Sequence, residues 1–334
     1  MVRQSFEYTE SDRILWEEEL DEFVPTRIYD AHAHLWCDDH LPVDHPKRGL
    51  YAHADMQVTT EWNERMFPGR EIEYLILGVP VPGMEVAAHN RFVVEQMKPY
   101  RNSRLHRVVT PQCRIEDIRK DVENFGFTGL KPYRLFSVTG DVNRCRIHEF
   151  LPHEQLELAN EMSLWVTMHL SRYHGCADEM NLADLEEFTT NRYPNVKWIL
   201  AHCARSFTYW PIRQAVERLR ELPNLWYDTS AVTDVMAHYT LMKAEDHRRI
   251  LYGSDNLIAN AFHGKYAAMG RFWYQFESPE VAKQDDIHTD DRPVLSIYEQ
   301  LLCMKHAAQL AGLTRSQIED IFYNNAAVAL GLET

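Results

Sequence analysis

The chain has 334 residues, 45% of them hydrophobic, enough to bury a sizeable core in one large domain or two smaller ones. Acidic residues outnumber basic ones by 50 to 35, for a formal charge of −15. That balance argues against nucleic acid and anionic membranes as partners, because both require a cationic face.

Residues 1–25 read as an acidic helical extension ending at Pro25, with Glu17, Glu18, Glu19 and Asp21 along it. They lack the apolar core and small-residue cleavage site of a secretory signal. The extension is a candidate docking element for a second copy, so a homo-oligomer is one expectation. The first strand-like run, 27–34, is Arg-Ile-Tyr-Asp-Ala-His-Ala-His. Strand residues two apart share a face, so His32 and His34 point the same way, with Asp30 deeper on their side. A long loop, 36–70, follows with Trp36, His40, His45, His53, Trp62 and Phe67.

Further strand-like runs lie at 74–79, 105–110, 128–133, 164–169, 196–202, 225–230 and 250–255. They are rich in Val, Ile, Leu and aromatics, as strands buried on both faces should be. Segments 153–162, 181–192 and 211–222 carry helical spacing, and Pro211 sits near a first turn, where its missing N–H costs nothing. A second long loop, 256–294, holds Phe262, His263, Trp273, Tyr274 and Phe276. Long loops of this aromatic content read as ordered walls of a site. Helical patterns at 294–312 and 316–330 end the chain.

Eight alternations of strand and helix predict an α/β fold, a (β/α)8 TIM barrel over 26–334, with the extension 1–25 and long loops after strands 1 and 8. No Gly-x-Gly-x-x-Gly follows any strand, which removes the main cue for a dinucleotide fold. No apolar run approaches the roughly 20 residues of a membrane span. The six cysteines form no Cys-x-x-Cys pair and read as reduced thiols of a cytoplasmic protein.

Catalytic residues of such barrels lie at the C-terminal ends of the strands. One histidine ending a strand is well explained by packing. His32, His34, His169, His202 and Asp255, ending separate runs at one rim, are better explained by a site. Three imidazoles and a carboxylate suffice for a catalytic metal with an open position. Arg134 follows the fourth run, and Arg172 and Arg205 each follow a strand-terminal histidine by three residues. Near helix N-termini the macrodipole disfavours a cation, so these arginines read as forks for a substrate carboxylate or phosphate. Rim salt bridges to Asp178, Glu179 or Asp228 are the competing explanation. Tyr133, Tyr173, Trp36 and Trp273 can cover an aromatic or sugar-like ring, although rim packing is the commoner use.

Read together, Asp30-Ala-His-Ala-His34, Gly129-Leu-Lys131, the His169 strand, His202, Tyr227-Asp-Thr-Ser230, Tyr252-Gly-Ser-Asp255 and Ile321-Phe-Tyr-Asn-Asn-Ala-Ala resemble the amidohydrolase superfamily. The resemblance is to its amidohydrolase-related (amidohydrolase 2) branch of TIM-barrel metal-dependent hydrolases, over residues 27–332. It implies one divalent metal, surrounded by His32, His34, His169 and Asp255, with His202 beside the reacting groups. Zinc suits such a set, and Mn, Fe and Co bind comparable N/O sites. Asp255 and His202 are then the proton-handling pair, and Arg172, Arg205, Arg134 and Tyr133 the substrate-binding set. In some branches a carboxylated lysine bridges two metals, a role open to Lys131. The expected substrate is a small anion: a carboxylated amide, ester or lactone to be hydrolysed. The alternatives are non-oxidative decarboxylation of an aromatic or semialdehyde acid, and a lactonase that works without metal.

Overall fold

The computed structural model describes residues 7–45, 48, 53–257, 260–276 and 293–333. Eight parallel strands follow one another in chain order: β1 (Arg27–His34), β2 (Glu71–Leu77), β3 (Arg104–Val109), β4 (Gly129–Pro132), β5 (Trp165–Met168), β6 (Lys197–Leu200), β7 (Leu225–Asp228) and β8 (Ile250–Leu251). The ring closes between β8 and β1: the Ala31 N–H donates to the Tyr252 carbonyl (2.9 Å), Asp255 to His32 (2.7 Å) and His34 to Asn256 (2.7 Å). Helices cover the outside, so the molecule is a (β/α)8 barrel.

Most of the apolar runs form strands because their side chains are buried on both faces, as in β3 and β5. The strands end earlier than their apolar runs do. At β6 and β8 the last residues of the run leave the sheet and turn over the rim, carrying His202 and Asp255. β1 has a register irregularity between Asp30 and Ala33, beside the two histidines.

Two glycines are required by contact. A Cβ on Gly129 would lie 2.5 Å from His106 Nε2, and one on Gly253 would lie 2.9 Å from the His32 Cβ. The Gly of Gly-Leu-Lys and the Gly of Gly-Ser-Asp therefore let neighbouring strands press on the interior histidines. Asn325, in the terminal Asn-Ala-Ala helix, donates to the carbonyls of His247 (2.7 Å) and Ile250 (2.9 Å), fixing the start of β8.

The two long loops differ from their sequence reading. Residues 36–70 contain the helix Met56–Met66, N-capped by Asp55, so the true loop is shorter. Trp36 is buried and bridges to Ala54, so it packs the loop and does not cover a ligand. The described part of 256–294 contains an antiparallel hairpin, β9 (Tyr266–Met269) and β10 (Phe272–Gln275), turning at Gly270. The N-terminal helix (Glu10–Leu15, continuing through Trp16–Leu20) spends its apolar face on this same chain. Trp16 packs against Phe67 and Tyr298, with ring centroids 5.7 Å apart in both pairs. His263 donates to its buried Asp12 at 2.8 Å, tying the extension to the segment after β8.

Candidate metal centre

His32 and His34 end β1, His169 follows β5, His202 follows β6, and Asp255 follows β8. All five line one cavity of ≈ 890 Å³. The outer nitrogen of each imidazole is committed. His32 Nδ1 lies 2.8 Å from Asp228 Oδ2, His34 Nδ1 2.9 Å from the Leu77 carbonyl, His169 Nδ1 3.0 Å from the Leu170 carbonyl, and His202 Nδ1 2.9 Å from the Ser230 carbonyl. Carbonyl and carboxylate oxygens only accept, so each Nδ1 carries a proton, and in the neutral imidazole each Nε2 keeps its lone pair. The tautomer that ligates metal through Nε2 is thus set by acceptors outside the site.

In that neutral form the inner atoms face one another without a donor. Asp255 Oδ1 lies 3.1 Å from His34 Nε2 and 3.6 Å from His32 Nε2. Opposed at that range they need a proton or a metal cation between them, and the three residues present ligand atoms all within 4.8 Å of one another. This donor set fits a divalent metal. Burial opposes ionising Asp255, but a hydrogen bond from His34 and the positive charge that His32, His202 and His34 can carry hold its carboxyl well below the usual range. Burial keeps His32 neutral, down at about 4, and pushes His169 well below its ordinary value.

A second group of possible ligands, His32, His202 and Asp228, has its atoms equally close. Those groups are already taken up in hydrogen bonds, His32 Nδ1 with Asp228 and His202 Nδ1 with Ser230. Asp228 Oδ1 accepts from the His202 and Ser230 backbone N–H groups (3.0 and 3.1 Å) and from the Ser230 hydroxyl (2.5 Å). Asp228 is therefore the acceptor that orients His32, a part not assigned to it by sequence, where it stood in the Tyr227-Asp-Thr-Ser230 run and as an arginine partner. Asp30 instead accepts from the His32 N–H (3.1 Å) and the Ser254 N–H (2.9 Å), and burial raises it to about 7. It anchors the backbone between β1 and the end of β8. Asp228→Asn should weaken metal binding by about 10–100-fold with the fold intact. A chelator competition titration against the parent chain reads this directly, and equal affinities would deny Asp228 that part.

His169 stands apart from the tight cluster and packs edge-on against His202, ring centroids 5.0 Å apart. Lys131 Nζ is fully buried with no hydrogen-bond partner among the described residues, 4.9 Å from the Tyr133 ring centre. Burial lowers its pKa to about 8. Tyr133 lines the cavity and donates its hydroxyl to the Gly78 carbonyl.

The arginines divide. Arg172 bonds Asp178 at 2.6 Å and the Arg144 carbonyl, and it is not among the cavity-lining residues. The rim salt bridge accounts for it. Arg134 and Arg205 line the cavity. Arg134 donates to the Val142 carbonyl (2.8 Å) and Asn143 Oδ1 (2.7 Å), and Arg205 to the Arg172 carbonyl. No carboxylate pairs with either among the described residues. Burial, with Arg134 nearby, brings Arg205 down to about 10. Lys265 and Arg271, from the segment after β8, line the same cavity and had no sequence signal.

Backbone strain gathers here. Residues 202–205, Arg172, Ala231 and Asp255 all have φ between 49° and 64°. Left-handed non-glycine residues cost of order 1–3 kcal/mol each and persist where the surroundings over-determine them.

A family model for amidohydrolases, Amidohydro_2, matches residues 29–332. The chain belongs to the amidohydrolase family, a family of enzymes. Comparison with curated protein sequences gave no match. Among solved structures it resembles 5-carboxyvanillate decarboxylase from Sphingomonas paucimobilis (12% identity, TM-score 0.59, 92% of this chain and 100% of that one). It also resembles a protein named as a probable 2-pyrone-4,6-dicarboxylic acid hydrolase from Acinetobacter baumannii (12%, 0.56, 91% and 99%). A third is 2,6-dihydroxybenzoate decarboxylase from Rhizobium (11%, 0.53, 92% and 98%). Identities this low carry the fold alone.

Proposed function

We propose that this amidohydrolase is a metal-dependent hydrolase of a small carboxylated ester, lactone or amide. The observation that carries the reading is the set of outward-tied imidazoles whose free Nε2 atoms meet an ionised Asp255. His32, His34 and Asp255 would hold one divalent ion, zinc first by donor type, with His169 completing the set from across the cavity. When bound, such an ion lowers the pKa of water from about 15.7 towards about 7 and polarises a carbonyl. Asp255 stays ionised beside it and can accept a proton from water. His202, free at Nε2 and held by Ser230 at Nδ1, can take up a proton at Nε2 and then pass it to the leaving group.

A carboxylate held ionised by the groups around it favours a base over an acid, and hence hydrolysis over the protonation of carbon that decarboxylation requires. The decarboxylases among the structural neighbours make that second reading worth testing. One metal is favoured over two because the second possible ligand group is spent on hydrogen bonds around Asp228 and Ser230. Lys131 remains the residue through which a second ion would be held. All six cysteines are free, and no helix among the described residues is long and apolar enough to cross a membrane. Free thiols suit the reducing cytoplasm.

The test is the purified protein, assayed for bound metal and then against 2-pyrone-4,6-dicarboxylate, simple carboxylated lactones and 2,6-dihydroxybenzoate. Ring opening without CO2 release is expected, and CO2 release without hydrolysis would replace the reading with the decarboxylase. Arg134 and Arg205 are the proposed anion fork. Arg205→Ala should raise KM for the acid by roughly tenfold to a hundredfold, since a charged hydrogen bond contributes about 1.5–3 kcal/mol. The methyl ester should lose much less. Arg172→Ala should leave KM alone, because its guanidinium serves Asp178. Equal losses for acid and ester in the Arg205 variant would make that arginine a loop brace.

A further inference from the structure

The hairpin after β8 is joined to the site by a column of rings. Phe207 stacks on His202, with centroids 5.1 Å apart and planes at 30°. Trp273, on β10, stacks on Phe207 at 4.3 Å and 24°. Tyr266, on β9, stacks on Trp273 at 5.5 Å and 23°. Four rings in a row thus run from the imidazole to both strands of the hairpin. Trp273 Nε1 is buried with no hydrogen-bond partner among the described residues, so the indole is held by its faces.

We propose that Phe207 and Trp273 are positioning residues, which fasten the hairpin over the cavity and set the plane of the His202 imidazole. The proposal rests on the reading of His202 as a proton carrier. Its hydrogen bonds to Ser230 are all at Nδ1, and the His32 and His169 rings meet it at steeper angles, 37° and 68°, both with centroids 5.0 Å away. Phe207 meets it most nearly flat, at 30°, and adds the restraint on its plane that reaches the hairpin. His202 and Phe207 are five residues apart, on one segment whose left-handed turn is closed by the Ser206 N–H donating to the His202 carbonyl at 2.7 Å. Imidazole and hairpin anchor therefore move as one piece. Parallel aromatic pairs contribute beyond the area they bury, and an aliphatic side chain of similar bulk lacks that preference for a flat arrangement.

The test uses zinc-loaded full-length protein and three variants, Trp273→Ala, Trp273→Phe and Phe207→Leu. Amide hydrogen exchange across 266–275 should speed up by about tenfold or more in Trp273→Ala and Phe207→Leu, and stay near the parent rate in Trp273→Phe. The His202 ring resonances, assigned by their loss in His202→Asn, should shift in the first two variants and hold in the third. With whichever acid is turned over, Trp273→Ala should lower kcat by about tenfold while KM changes less than about threefold, as lost alignment requires. Faster exchange with unmoved His202 resonances would reduce the column to a hairpin anchor and overturn the positioning role. Unchanged exchange would overturn the whole proposal. Exchange and resonances need no turnover, so they stand even if His202→Asn shows another group to be the proton carrier.

Discussion

Replacing His32 and His34 together with alanine should leave the purified chain with no more than about a tenth of an equivalent of divalent metal, against about one in the parent. Two of the three closest-set donors would be gone. Asp255 and His169 cannot compensate, since they reach the site from separate strands and share no tight geometry. Turnover should fall to background for the same reason. The double variant also strips Asp228 of its Nδ1 partner and leaves a buried carboxylate short of one donor, a loss of about 1–3 kcal/mol. A thermal melt must therefore accompany elemental analysis, so that metal loss in a folded protein is distinguished from unfolding. Retention of a full equivalent by a folded double variant would move the metal elsewhere and remove the centre proposed here.

The barrel was legible because parallel strands buried on both faces leave continuous apolar runs, and each run ends where a polar residue meets the cavity. His32, His34, His169, His202 and Asp255 could be grouped on that ground alone, and the structure brings all five to one cavity. What could not be read was the identity of their partners. Asp228 lies 196 residues from His32, and nothing local to Tyr227-Asp-Thr-Ser230 says which imidazole it will hold. Arg172 and Arg205 carry the same sequence offset but different fates. The difference is Asp178, which captures the first, while no described carboxylate captures the second. Lys265 and Arg271 belong to an insertion whose hairpin lacks the Asn-Gly or Asp-Gly signal of a tight turn. The β-favouring aromatic run Phe272-Trp-Tyr just after Gly270-Arg271 was the available cue.

His202→Asn should keep its metal and lose between about 10² and 10⁴ in kcat, the usual contribution of a positioned acid or base. Asparagine keeps a polar side chain of similar reach near Ser230, so the network around Asp228 has a substitute and the fold should hold. His32 stays oriented because its bond to Asp228 does not pass through His202. The variant separates two accounts of the same cluster. In a one-metal site His202 is only a neighbour, and metal content stays near one equivalent as the rate collapses. In a two-metal site with Lys131 as the bridge, His202 would be a ligand, and half of two bound equivalents would go with it. The metal-to-protein ratio of parent and variant, measured side by side, decides the matter. A parent with two ions and a variant with one would transfer His202 from the proton path to the metal, and Lys131 would join it there.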